Sequence, residues 1–218
     1  MNPALSQIVP AMVSYVTGHD GYVTKTKLLK LLYLFDVEYY RLHRQIFSGF
    51  QWKFFHLGPW AREFDQFLEG LVAQGLLVES SSTRREYDTK FYRTAEPFEM
   101  YGILGNFKDE AALKLILDTW GESSTGEILD YVYFRTEPME YGVRNEQLDF
   151  SKIPDQAPPM YERHQSVTTK HEVEAARKRF REESARRGQA SSEQTVITPP
   201  NYDEEFFAAL AKLDGPQR

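Results

Sequence analysis

The chain contains no cysteine, which removes disulfide staples, thiolate nucleophiles and cysteine-rich metal sites together. It also lacks an excess of positive charge, since 26 Lys and Arg stand against 32 Asp and Glu for a net charge of -6. Domains built to neutralise phosphates carry a clustered positive field, so specific nucleic acid is not the expected partner. No apolar run approaches the roughly 18 residues that span a bilayer. The first residues, MNPALSQIVPAMVSYV, have neither a basic start nor a small-residue cleavage site. These absences predict a cytoplasmic protein with no membrane partner. Internal repeats are missing, and so are the G-x-S-x-G elbow, the P-loop, H-E-x-x-H and G-x-G-x-x-G. Neither an enzyme activity nor a cofactor or metal is expected.

What is present is a long chain for its charge, 218 residues with 41% hydrophobic and 14% aromatic content, enough for one sizeable core and an appendage. Apolar residues recur at helical spacing at Leu5, Ile8, Val9, Met12, Val13 and Val16, and Gly18 and Gly21 stop that helix. Pro10 is expected to bend it or trim its first turns. Thr24 or Thr26 can cap a second helix running to about Arg44, through KLLKLLYLFDVEYY. On a wheel at about 100° per residue, Leu28, Leu31, Leu32, Phe35, Tyr39 and Leu42 share one face, widened by Leu29, Tyr33, Val37 and Tyr40. Lys27, Lys30, Glu38 and Arg41 gather on the remaining side. So wide an apolar arc predicts the central helix of a helical domain.

Asp36 sits inside that arc, and a charge there costs several kcal/mol unless it is bonded or paired. Its partner is expected from the next segment, FQWKFFHL at 50–57, which alternates as a short strand ending at Gly58-Pro59. Lys53, His56 or a backbone amide are the candidates. Asp36 with His43 and His56 is also a possible acid/base or metal set. Residues seven apart on a helix lie about 10 Å apart along its axis, which favours a satisfied structural aspartate instead.

A helix from about Trp60 to Gln74, closed by Gly75, precedes two strands within 76–93 joined by a polar turn. Helix followed by hairpin is the order of a winged helix, so Arg84 and Arg85 are candidate partner-binding residues. Glu79, Glu86 and Asp88 lie among them and favour a solvated turn. Helices follow at about 107–120 and 125–135, the second with a capping box at Ser124 and Glu127. Residues 1–150 then read as a mainly α domain with a small β element, and 151–218 as a linker with a helical C-terminal extension. In that extension 169–187 is charged, and NYDEEFFAALAKL places Phe206, Leu210 and Leu213 on one face with Phe207 beside it. This terminal stripe covers a groove on its own domain or enters one on a partner.

The run K-L-L-K-L-L-Y-L-F-D, followed some twenty residues later by an aromatic strand and Gly58-Pro59, resembles the Panacea domain, the SocA-like antitoxin family of bacteria and phages. The resemblance covers roughly residues 5–140. Its members carry an aromatic before the Gly-Pro, where this chain has Leu57. It implies a mainly α fold with a small β element, and an antitoxin that neutralises a cognate protein toxin by direct binding. It assigns Lys27, Leu31, Leu32, Tyr33, Asp36, Gly58 and Pro59 to the scaffold and carries over no catalytic residue. The alternatives are a proteolytic adaptor that delivers the toxin to a protease, a winged-helix regulator of DNA, and a hydrolase or metal enzyme of unassigned class.

Overall fold

The computed structural model describes residues 2–56, 58–84 and 87–155, with Lys178, and the side chains of 82–88 are outside that description. The expected helices at 169–187, Lys178 apart, and at 201–213 also lie outside the described residues. Among the described residues the fold is mainly α with a small β element, six α-helices and two antiparallel hairpins. In chain order these are α1 (Leu5–Gly18), α2 (Lys25–His43), β1 (Lys53–Phe55), β2 (Gly58–Trp60), α3 (Glu63–Ala73), β3 (Val78–Arg84), β4 (Tyr87–Arg93), α4 (Phe107–Trp120), α5 (Thr125–Arg135) and α6 (Glu137–Glu140). A 3-10 turn at Phe150–Lys152 follows.

The local signals explain most of the boundaries. Thr24 caps α2 by accepting from the Lys27 amide, and Arg44 closes it in the left-handed conformation. Asn106 caps α4, and Ser124 with Glu127 forms the expected capping box on α5. Gly75 has φ +72° directly after α3, a conformation that costs glycine least. Pro10 does not break α1, which runs from Leu5 to Gly18 with Ile8 through Val13 buried.

Helix α2 is the axis. Leu28, Leu31, Leu32, Tyr33, Phe35 and Asp36 are fully buried, and α4, α5, β2 and β4 all pack against it. Lys27 meets the carbonyl at the C-terminal end of α4 while His43 meets Asp109 in its first turn, so the two helices run antiparallel. Helix α1 lies beside α4, where Tyr15 donates to Asp118 and Lys114 donates to both.

Two expectations change. Gly58-Pro59 does not end a strand: it begins β2, with Phe55 opposite Gly58 and Phe54 opposite Pro59, and the chain turns before it, at His56, which has φ +45°. The polar side of α2 is covered as well as the apolar arc, with Lys27 wholly buried and Lys30 4% exposed. At the other extreme Leu42, placed in the apolar arc, is 46% exposed. Packing also continues beyond 150, with Phe150 and Ile153 buried and the Arg44 guanidinium donating to the Ile153 carbonyl.

Candidate functional site

The polar groups inside the domain form separate clusters along α2, and each has a local cause. The first answers the question posed by Asp36. Between α2 and β1 the chain folds back through FSGFQW, with Gly49 at φ +68° allowing the reversal. That return brings the Ser48 amide to 2.8 Å from one Asp36 oxygen, and the Ser48 hydroxyl and Trp52 indole N–H, the latter at 2.6 Å, to the other. The Phe47 amide adds a further donor. The carboxyl is completely buried, and desolvation pushes its pKa up to about 6 against the opposing pull of these four donors. Lys53 and His56 are not its partners. His56 is exposed at the hairpin turn, against the Phe55 ring.

The second cluster starts in the first turn of α2. Lys27 Nζ donates to the Gly121 carbonyl at 2.6 Å and sits 4.4 Å from the centre of the Tyr22 ring. Lys30 Nζ donates to the Pro59 carbonyl at 2.7 Å. A Cβ on Gly58 would stand 3.1 Å from that ammonium, so glycine leaves room for the lysine. Tyr33, one turn on, shares a hydrogen bond with the Thr136 hydroxyl, and its ring meets Trp52 edge-on at 5.3 Å between centres. Burial raises its phenol pKa well above the ordinary value.

The third cluster is ionic. Arg41 pairs with Glu38 on its own helix and with Glu137 of α6 at 2.6 Å, and all three side chains are largely buried. At the C-terminal end of α2, His43 Nε2 lies 2.6 Å from an Asp109 oxygen, and Tyr39 stacks on the imidazole 4.3 Å away. The structure therefore separates the three members of the proposed Asp36, His43 and His56 set into three places. Among the described residues no group of three or more His, Asp or Glu is arranged to hold a metal ion.

Lys27, Leu31, Leu32, Tyr33, Asp36, Gly58 and Pro59 thus come together in the interior, linked by Lys30 and Trp52. Arg84 is placed by its backbone at the end of β3, whereas Arg85, Phe206, Phe207, Leu210 and Leu213 lie outside the described residues. Sequence reasoning missed Ser48, Trp52, Thr136, Asp109 and Glu137 as partners of α2. Only Ser48 and Trp52 carried a signal, as polar atoms beside Gly49 in an aromatic run.

The surface near α2's last turn differs from the interior. Leu42 is 46% exposed, Tyr101 62% and Phe107 80%. Leu42 adjoins His43, Phe107 precedes Asp109 by two residues, and the Gly102 amide beside Tyr101 donates to Glu110 at 2.6 Å. All three are large apolar side chains left in water. No known protein family, curated protein or solved structure matches this chain.

Proposed function

We propose that the chain is a binding module, an antitoxin that neutralises one cognate protein toxin by direct contact. The observation that carries this reading is the exposure of the large apolar side chains Leu42, Tyr101 and Phe107. Aromatic side chains in water are the usual anchors of protein interfaces, whereas the buried carboxylate and ammonium groups described above are engaged in holding α2 to the segments around it. The motif resemblance around Lys27 to Asp36 and Gly58-Pro59 supports the antitoxin class. The terminal stripe of Phe206, Phe207, Leu210 and Leu213 is proposed, from its sequence alone, as a second contact.

The test is co-expression with the product of the adjacent open reading frame. Growth should be restored by the wild-type chain and lost with Phe107→Asp or Tyr101→Ser, both of which should melt like wild type. Restored growth with the double variant, or a neighbour whose expression is harmless, would remove this reading.

A further inference from the structure

Strands β3 and β4 pair one to one over seven positions, from Val78 opposite Arg93 to Arg84 opposite Tyr87, without a bulge. In an antiparallel ladder two opposed residues either exchange both main-chain bonds or turn both away. The Tyr92 amide donates to the Val23 carbonyl at 2.8 Å, away from β3, and Thr24 bridges Phe91 on that same side. Its opposite number, Glu79, therefore also turns its N–H and C=O away from β4. By alternation Ser81 and Thr83 do the same. The outer edge of β3 thus presents three donors and three acceptors in a row about 13 Å long, at 3.3 Å per residue. Among the described residues no backbone group meets them.

An edge of this kind is ordinarily blunted by proline, a bulge or an outward charge. Here there is no proline and no bulge, and the one acidic side chain, Glu79, is drawn across its own sheet to Lys90 at 2.9 Å and Tyr92 at 3.0 Å.

We propose that this edge pairs with the same edge of a second copy of the chain, antiparallel and centred on Ser81. That register sets Ser81 opposite Ser81 and Glu79 opposite Thr83, so all six outward groups of each strand find partners. Shifting the centre by one residue in either direction leaves an outward group unmatched. The register also places Ser80 opposite Ser82 and Val78 opposite Arg84, so no two charges of one sign face each other. Strand addition by a foreign peptide draws its specificity from pockets for alternate side chains. The exposed Glu79, Ser80 and Ser81 build none, and pairing with an identical strand needs none. The result is a four-stranded sheet across a two-fold axis. It rests on the sheet edge alone and is independent of the antitoxin reading.

Sedimentation velocity on the full chain should show a single reversible monomer–dimer equilibrium within roughly 1 µM to 1 mM, the range open to a small interface. Dimerisation should slow hydrogen exchange at the amides of Glu79, Ser81 and Thr83 and leave Ser80 and Ser82 unchanged, because the latter already bond to β4. Ser81→Pro removes an outward N–H without touching the β3–β4 ladder, and should be monomeric with an unchanged melting temperature. Position 81 pairs with itself, so Ser81→Lys and Ser81→Glu should each weaken the dimer at least tenfold, and their equimolar mixture should restore it. A wild-type chain that stays monomeric throughout the range overturns the proposal. So does a dimer that survives Ser81→Pro, or a mixture of the Lys and Glu variants that associates no better than either alone.

Discussion

The two hairpins are built on the same plan and used in opposite ways. The shorter one, β1–β2, is fastened on every side: the Phe54 amide donates to the Glu146 carbonyl, the Asn145 amide to Phe54, the Leu148 amide to Trp52, and Lys30 reaches the Pro59 carbonyl. Its strands have three residues each, and β2 is buried throughout. The longer one, β3–β4, is attached along one flank at Val23 and Thr24, and no backbone group among the described residues meets the other. Main-chain polar groups need partners when buried and tolerate water when exposed. The first hairpin is accordingly part of the core, and the second is bonded to the rest of the domain along β4 only, among the described residues.

The strongest way to break that contrast is through the first hairpin. Asp36→Ala strands the Ser48 amide and hydroxyl and the Trp52 indole in a dry interior, and releases the loop that delivers β1. A loss of roughly 3 to 5 kcal/mol is expected, at about 1 to 3 kcal/mol for each unsatisfied buried group, read by urea denaturation. A variant as stable as wild type would mean that the fastening lies elsewhere.

The next effect is a pH dependence with an unusual sign. The Asp36 carboxyl has a folded pKa raised from 3.8 to about 6, so its contribution to stability is fully present below pH 4 and is lost as the pH rises through 6. About 2 to 3 kcal/mol should disappear over that interval. The decline should be absent in Asp36→Asn, measured against wild type at each pH so that other carboxylates cancel. A difference between the two proteins that is flat across pH 4 to 7 would contradict the burial-driven shift.

Lys30→Met tests a single fastener. It keeps most of the side chain's volume and leaves the Pro59 carbonyl without this donor, at a cost of about 1 to 2 kcal/mol. Amide exchange in β1 and β2 should quicken while β3 and β4 are unaffected. The smallest effect belongs to the open flank, where Ser81→Pro should change stability by no more than about 0.5 kcal/mol, the ordinary range for an exposed position.

The sequence disclosed the elements that depend on neighbours along the chain. Thr24, Ser124 with Glu127 and Gly75 act within one helical turn, and each does what its residue type predicts. The breadth of the α2 arc correctly implied a central helix. What stayed hidden depends on distant segments. Gly58-Pro59 reads as a terminator, yet the turn falls earlier, at His56, because β1 and β2 fold against Gln147 and Glu146 ninety residues later. Lys27 and Lys30 read as the polar side of that helix; the two carbonyls from other elements that receive them in the interior leave no mark near them in the sequence. The site was legible only as a puzzle, a carboxylate among leucines. Its solution lay in Ser48 and Trp52, whose positions follow from the tertiary path of one loop.

The central position of α2 has a consequence for the making of the protein. The helix is complete in the growing chain at His43, but the groups that cover it arrive with Gly121, Thr136 and Ile153. Ribosomes add about 5 to 20 residues per second, so the 110 residues between His43 and Ile153 take roughly 6 to 22 s to emerge. Phe47, Trp52, β2 and β4 reach it early, but until α4 and α5 emerge one flank of a segment rich in leucine and aromatic side chains stays uncovered. Residues 25–43 are therefore the stretch on which a chaperone at the ribosome exit would be expected to close, and from which it would be released only when α4, α5 and the Phe150 turn have arrived.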